Sequence, residues 1–338
     1  MAMLLEELKQ QRASKWRTDG AHPLRTLEDA RAFIDAIGFC LIYPTRPAVV
    51  APTFIGAVLA TETELPIASK AAVDPRTQLA TELVLRLLND KHAFEVPFGD
   101  SGSLLVSAAE FPYFYALLGE RNLKSAPSRG VHGEKTLASH TFKLLANRSM
   151  SEQEMLDAHG KGISEAALSR ALHELWSKLR IARTGLLEHA GSPTWDVLYR
   201  IAAQPVARGA HISQPEALSA LISKYLEMVI AAEPREVEDF FGHISSKSKV
   251  NEIIKALTAA REFESRPVGH TAMIRLVPRE KEKEKESELG SVQQRSIAGE
   301  RRSGPDVGRK MVMRHDRRNP RRDDRRQPPP RRERKPTR

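Results

Sequence analysis

The sequence is poor in cysteine and contains no long apolar run. Its single cysteine, Cys40, rules out an intramolecular disulfide framework and is typical of a reducing compartment. No apolar run approaches the roughly 20 residues that a membrane-spanning helix needs. The opening residues, MAMLLEELKQQRASKW, bring in glutamate and lysine at once, so they predict an amphipathic helix rather than a signal peptide. We therefore expect a cytoplasmic protein without a membrane segment.

Motifs for cofactors and metals are missing as well. No GxxxxGK[ST] phosphate-binding loop occurs, and no GxGxxG follows a predicted strand. The 11 histidines are scattered, and neither His-x3-His nor Cys-x2-Cys spacing, which would suit zinc, is found. The sequence therefore predicts no cofactor and no structural metal.

Positive charge is concentrated at the C-terminal end of the chain. Residues 301–338 hold 16 of the 53 Lys and Arg but 5 of the 43 Asp and Glu, so they carry +11 while residues 1–300 carry −1. Upstream of them, REKEKEKESE (279–288) alternates in charge without an apolar face. Such a composition cannot bury enough apolar surface to offset the entropy of ordering the chain. We predict that residues 279–338 form a disordered basic tail.

Two segments, residues 134–205 and 212–278, share one pattern of predicted elements. Each reads as three helices followed by a two-stranded hairpin. The third helices are SEAALSRALHELWSKL (164–179) and SSKSKVNEIIKAL (245–257). This order is that of a winged helix, whose third helix usually enters a DNA groove. Protein docking is the alternative use of such domains.

The N-terminal segment, residues 1–125, fits the same order more loosely. Helices are predicted over residues 27–37, 53–60 and 76–89, followed by a hairpin of HAFEVPF and SLLVSA around GDSG. We predict a helical, winged-helix-like domain here. The predicted fold class is mainly α with small β wings: tandem winged-helix domains followed by the basic tail.

The stretches GFCLIYP (38–44) and FPYFYALLG (111–119), with the two winged-helix patterns, resemble the AlkZ/YcaQ type of crosslink-repair DNA glycosylases. The resemblance covers roughly residues 20–278 and is greatest for the AlkZ-related branch. It implies tandem winged helices that form a concave, DNA-holding surface. It also implies a catalytic position, because active members use a Gln-x-Gln or Gln-x-Asp pair to orient the water that attacks the sugar.

By this resemblance, Leu41 stands at the first position of the pair and Tyr43 at the second. Leucine forms no side-chain hydrogen bond, and a tyrosine with an ordinary pKa of about 10 is a poor base at neutral pH. We predict that the water-activating pair is missing. Cys40 is interpreted as a small buried hydrophobe and Tyr43 as a packed ring. FPYFYAL offers an aromatic platform for a base or, at helical spacing, part of a core.

Candidate nucleic-acid contacts lie on the exposed faces of the two third helices and in the tail. A charged helix face is commonly just solvated, and an arginine-rich tail commonly just solubilises; these are the alternatives. Paired arginines suit phosphates of DNA or RNA and are indifferent to base sequence. The candidates are Ser169, Arg170, His173, Lys247, Lys249, Asn251, Lys255, Arg317, Arg318, Arg321, Arg322, Arg325 and Arg326.

The sequence favours a cytoplasmic, nucleoid-associated DNA-binding protein related to crosslink-repair glycosylases but without their catalytic pair. One alternative is a divergent glycosylase that acts on alkylated bases through other residues. A second alternative is a winged-helix docking scaffold in which only the tail contacts nucleic acid. Nothing in the sequence indicates an oligomeric state.

Overall fold

The computed structural model describes residues 4–71, 73–99, 102–120, 136–160, 162–186 and 193–277. Over these ranges the chain is mainly helical with small antiparallel sheets, which confirms the predicted mainly α class with small β elements. The predicted tail, 279–338, lies outside the described residues. None of the helices described is long and apolar enough to cross a membrane.

The N-terminal part combines short helices with one three-stranded antiparallel sheet. Strand β3 (Gly102–Ser107) lies in its centre, between β1 (Phe39–Leu41) and β2 (Ala93–Phe98). The predicted hairpin is thus confirmed, and the GFCLIYP stretch adds a third strand to it. The helices of this part are α1 (Leu5–Lys15), α2 (Leu27–Ile37), α3 (Phe54–Leu59), α4 (Ala68–Ala71), α5 (Gln78–Asn89) and α6 (Phe111–Leu118), with a 3-10 turn at Pro75–Thr77 before α5.

Local sequence signals set both ends of α2, the helix that leads into β1. The Thr26 hydroxyl accepts a hydrogen bond from the backbone N–H of Asp29 (3.1 Å). In return, the Asp29 carboxylate accepts one from the backbone N–H of Thr26 (3.0 Å). Gly38 ends the helix with a φ of +82°, a conformation that glycine adopts without strain. Because β1 begins at the next residue, the end of α2 fixes the start of the segment that holds Leu41, at the end of β1, and Tyr43, just after it.

The middle part of the chain forms a second helical unit with its own small sheet. Ser151 caps a helix through a reciprocal pair of hydrogen bonds with Glu154, which together form a capping box. The sheet order is β4-β6-β5, with β6 antiparallel to both neighbours. The elements are α7 (Leu137–Asn147), β4 (Met150–Ser151), α8 (Glu152–His159), α9 (Glu165–Ser177), β5 (Ile181–Leu186), β6 (Pro193–Val197), α10 (Leu198–Ile201) and α11 (Ala203–His211).

The C-terminal part repeats the order of three helices and a hairpin. Pro234 opens the second of these helices, as expected for proline in a first helical turn. The hairpin strands pair in register from Phe263 with Leu276 to Val268 with Thr271. The elements are α12 (Gln214–Val229), α13 (Pro234–Phe241), α14 (Lys247–Ala259), β7 (Phe263–Val268) and β8 (Thr271–Leu276).

The largest hydrophobic core joins the N-terminal and C-terminal parts of the chain. The Phe240 ring lies 5.8 Å from the Phe39 ring and 4.9 Å from the Phe98 ring. The buried Tyr225 donates its hydroxyl hydrogen to the backbone oxygen of Val50 (2.7 Å). The middle part encloses a separate cluster of apolar residues. The first and last parts thus share a core, whereas the domain boundaries at 125, 134, 205, 212 and 278 stay predictions.

Candidate nucleic-acid interface

Helix α14 presents the lysines that the sequence selected as nucleic-acid contacts. Its apolar side, with Val250, Ile254 and Leu257, is buried. Outside this apolar side Lys247, Lys249 and Lys255 are exposed, and Asn251 is half-buried. The Lys247 ammonium lies 3.1 Å from an Asp239 oxygen, and the Lys249 ammonium donates to Gln214 (3.2 Å). Exposed surface ion pairs contribute little stability, so these lysines can exchange partners with phosphates.

Helix α9 carries the three residues of the middle part that the sequence selected as nucleic-acid contacts. Ser169 and Arg170 are exposed. His173 is also exposed, but its ring packs edge-on against Trp176 with centroids 6.2 Å apart. His173 and Trp176 both line a cavity that faces the N-terminal sheet. The structure therefore brings His173 together with residues far away in the sequence, while Ser169 and Arg170 are not among the residues that line the cavity.

This cavity has a volume of about 370 Å³ and lies where the N-terminal and middle parts meet. The loop after β1, helix α5 and strands β2 and β3 provide one side, and α9 and β5 provide the other. Its polar lining includes Tyr43, Thr81, Glu95, His173 and Arg183. An acid, a base, a phenol and a guanidinium are thus gathered beside one concave surface.

Glu95 is the most deeply buried ionisable group in the lining, with 4% of its surface exposed. Its Oε2 lies 3.3 Å from Nη1 of Arg183, and the Arg183 guanidinium stands 5.3 Å from the centroid of the Trp195 ring. The indole of Trp176 donates to the backbone oxygen of Glu95 (3.2 Å). The Arg183 guanidinium thus lies between the Glu95 carboxylate and the Trp195 ring.

The sequence analysis did not select Glu95 or Arg183. In HAFEVPF, Glu95 is the single acidic residue, and alternation with Phe94 and Val96 would place it on a solvent-facing side of the strand. The middle part covers that side, so the carboxylate is buried. The one feature of the sequence that could have identified Glu95 is that it is a single acidic residue in an otherwise apolar strand.

The Leu41 side chain points away from the cavity. Cys40 pairs across the sheet with Leu105, which pairs with Glu95, so these three residues share one face. Since side chains alternate along a strand, Leu41 lies on the opposite face, where it is 1% exposed within the main core. Leu41 is therefore part of the hydrophobic core.

Tyr43 and Cys40 differ sharply in their surroundings. Tyr43 is half-buried at the cavity, and its hydroxyl lies 3.4 Å from the hydroxyl of Thr81. Cys40 is fully buried, and this burial raises the pKa of its thiol far above the usual range. The interpretation of Cys40 as a buried hydrophobe is confirmed. Tyr43, by contrast, has a ring that a ligand in the cavity can reach.

A family model for DNA glycosylase AlkZ-like proteins matches residues 56–288. The chain belongs to the AlkZ-like DNA glycosylase family. Among solved structures, the DNA glycosylase AlkZ of Streptomyces sahachiroi is similar over 81% of this chain and 71% of its own, at 14% identity and a TM-score of 0.49. No curated protein matches the sequence.

The resemblance of this AlkZ-like chain to crosslink-repair glycosylases is thereby confirmed, and with it DNA as the class of partner. FPYFYAL forms α6, in which Phe111, Phe114 and Tyr115 are buried and Tyr115 donates to the backbone oxygen of Glu120 (2.6 Å). It is core and not an open aromatic platform. In the described ranges, no three His, Cys, Asp or Glu side chains come close enough to hold a metal ion. The tail arginines lie outside those ranges.

Proposed function

We propose that this AlkZ-like protein binds duplex DNA through the exposed side of α14 and does so without the family's catalytic pair. The exposed lysines of α14 carry the proposal, since ammonium groups on the surface of one helix are suited to phosphates. Ser169 and Arg170 on α9 would add a second contact. This function places the protein in the cytoplasm, at the nucleoid.

The order of elements supports tandem winged helices as the DNA-holding scaffold. From α7 to β6 and again from α12 to β8, three helices precede two antiparallel strands. In each case the proposed recognition helix, α9 or α14, is the third of the three. A winged helix uses this helix to read a groove and its hairpin to contact the backbone.

The basic tail is proposed to strengthen binding without adding sequence preference. It carries the paired arginines 317–318, 321–322 and 325–326. Guanidinium groups release counterions from the phosphates of any DNA, and equally of RNA. The tail would therefore raise affinity for all sequences by a salt-sensitive contribution.

Loss of glycosylase chemistry follows from the chemistry of Leu41 and Tyr43. Leu41 offers no hydrogen bond and points into the core. Tyr43 reaches the cavity, but a phenol hydroxyl is a poor general base for a water molecule. Neither residue can orient and deprotonate a water molecule as an amide–carboxylate pair does.

A divergent glycosylase is the second candidate function, and Glu95 is the observation that favours it. A buried carboxylate beside an open cavity could stabilise the oxocarbenium-like charge of a sugar that is losing its base. Incubation with DNA that carries an alkylated base distinguishes the two. We expect no base release; release that Glu95→Gln abolishes would establish the enzyme.

Duplex binding across a salt series tests the proposed DNA contact. Each lost phosphate contact should lower the log–log salt slope by about 0.9, so alanine at three contacting lysines should lower it by up to about 2.7. A charge-matched control removes three exposed lysines elsewhere and should leave most of the slope intact. The test variant changes Lys247, Lys249 and Lys255. The control changes Lys9, Lys91 and Lys143. Equal losses in both variants would instead support a docking scaffold whose tail alone contacts nucleic acid.

A further inference from the structure

Helix α12 ends at a residue that is poorly suited to end a helix. The carbonyl groups of a last helical turn have no partners within the helix, and many helices end with a glycine whose backbone helps to satisfy them. Here Ile230 follows Val229, the last residue of α12, and its φ is +71°. A β-branched side chain is strained in this left-handed conformation. This end of α12 therefore needs support from another part of the chain.

The end of α1 supplies that support with three side chains. Together they donate four hydrogen bonds to backbone oxygens at the end of α12. Arg12 donates from Nε to the oxygen of Val229 (2.9 Å) and from Nη2 to that of Ala231 (2.5 Å). The other two bonds run from the Trp16 indole to Met228 (3.1 Å) and from the Lys15 ammonium to Glu227 (2.5 Å). Cationic groups at this position also interact favourably with the helix dipole.

Arg12 links the end of α12 to the start of α13. Its side chain is 13% exposed, and its Nη2 lies 3.9 Å from Oε2 of Glu236 in the first turn of α13. The same carboxylate accepts a hydrogen bond from the backbone N–H of Glu233, the residue before α13 (2.9 Å). One guanidinium thus contacts both sides of the turn between the two helices.

Helix α1 also contacts the β7–β8 hairpin. Leu8 is fully buried in a small apolar cluster that includes Val268 and Met273 of the two strands. At the tip of the hairpin, Gly269 lies beside Leu5. The hairpin proposed to contact the DNA backbone is therefore held by the same helix that caps α12.

We infer that α1 is a strap that holds α12, α13 and the β7–β8 hairpin in the arrangement that DNA contact by α14 requires. The inference rests on the proposed function of α14, and it makes Arg12, Lys15 and Trp16 positioning residues for that contact. Its effect reaches α14 through α13. Asp239 of α13 lies 3.1 Å from the ammonium of Lys247, so a tilt of α13 moves a proposed phosphate contact.

The strap can be released while the main core stays folded. Leu8 is the buried residue of α1, and its cluster is separate from the main core. An isolated helix of 11 residues is only marginally stable in water, so α1 depends on the contacts that it forms with the rest of the protein. Loss of these contacts should loosen the α12–α13 turn and the hairpin, while the N-terminal sheet and the middle part keep their structure.

Arg12→Met in the full-length protein tests the inference. Methionine keeps an unbranched apolar side chain but cannot donate either hydrogen bond. Amide hydrogen exchange should become about tenfold faster at residues 227–233 and 268–273 and stay unchanged in α5 and α9. Duplex affinity, measured at matched salt and at a temperature where the variant is folded, should fall about fivefold or more. The log–log salt slope should not change, because Arg12 bonds to backbone carbonyl groups and not to phosphate.

Two further variants complete the test. Lys9→Met removes the same charge from an exposed position of α1, so it should change neither hydrogen exchange nor affinity. Trp16→Phe keeps an aromatic ring but removes the bond to Met228, and it should lower duplex affinity by about twofold. If Arg12→Met has no cooperative thermal transition, Trp16→Phe decides the matter, and unchanged affinity in that variant overturns the inference.

The outcomes separate the possible failures. Faster exchange in Arg12→Met with unchanged affinity would make α1 a structural helix only, which overturns the inference while DNA binding stands. A smaller salt slope would mean that Arg12 itself contacts phosphate, and an equal loss of affinity in Lys9→Met would mean a general charge effect; either result also overturns it. If the parent protein binds no duplex, both the proposed function and the inference fail.

Discussion

Replacement of Leu41 by alanine tests whether the GFCLIYP loop is structural or catalytic. Leu41 is 1% exposed, and its backbone N–H donates to the oxygen of Pro52 (3.0 Å) while β1 pairs with β3 on the other side. A strand held on both sides cannot collapse into the space that a smaller side chain leaves. Leu→Ala in a core costs about 2–5 kcal/mol, and poor collapse places a site in the upper part of that range. We expect the free energy of unfolding to fall by about 3–5 kcal/mol.

Urea unfolding followed by tryptophan fluorescence measures this loss. With a urea m-value of about 3 kcal/mol/M, a loss of that size lowers the midpoint by about 1–2 M. Tyr43→Ala is the control within the same loop, because a half-buried ring at a cavity contributes less to the core. We expect its midpoint to change by less than half as much.

Two results would refute the structural interpretation of Leu41. One is an alanine variant with the midpoint of the parent protein, since that would mean the side chain is not packed as described. The other is a variant of unchanged stability that has altered DNA binding or base release. The first result would mean that Leu41 is not part of the core, and the second would assign it to the functional site.

Three further predictions concern the chain outside this position. Truncation to residues 1–278 should leave a cooperative thermal transition, since every described element ends by Leu276; its loss would mean that the tail belongs to the fold. Cys40 should not react with a thiol reagent at neutral pH until urea unfolds the protein, because burial raises the pKa of its thiol; rapid native-state labelling would contradict this. Hydrogen bonds from the Ser151 backbone and from Arg148 lower the pKa of Glu154, so its stabilising effect is present above the unfolded pKa of about 4.3 and disappears as the pH falls through the lower folded value. Glu154→Gln should therefore reduce Tm more at pH 7 than at pH 3, and an equal reduction at both would be inconsistent with this linkage.

The sequence alone indicated most of the helices, the hairpins and the charge of the tail, but not α4, α10 and α11. A helix-capping residue forms its hydrogen bond with the residue three positions later, as Thr26 does with Asp29 and Ser151 with Glu154. Apolar spacing identifies the buried side of α14 from its own thirteen residues. The stretches GFCLIYP and FPYFYAL, together with the two winged-helix patterns, indicated the family, whose model matches residues 56–288. All of these signals are local, so they can be read without knowing what packs against them.

Only the tertiary structure decided which residues share the cavity. Tyr43, Glu95, His173 and Arg183 come from four separate elements, and they meet because the middle part packs against one face of the N-terminal sheet. A period of two residues assigns Glu95 to a face, but it does not say whether that face meets water or another part of the chain. For the same reason, the sequence did not predict the core that Phe39 shares with Phe240. Long-range packing depends on the shapes and areas of whole surfaces, and no short stretch of sequence contains that information.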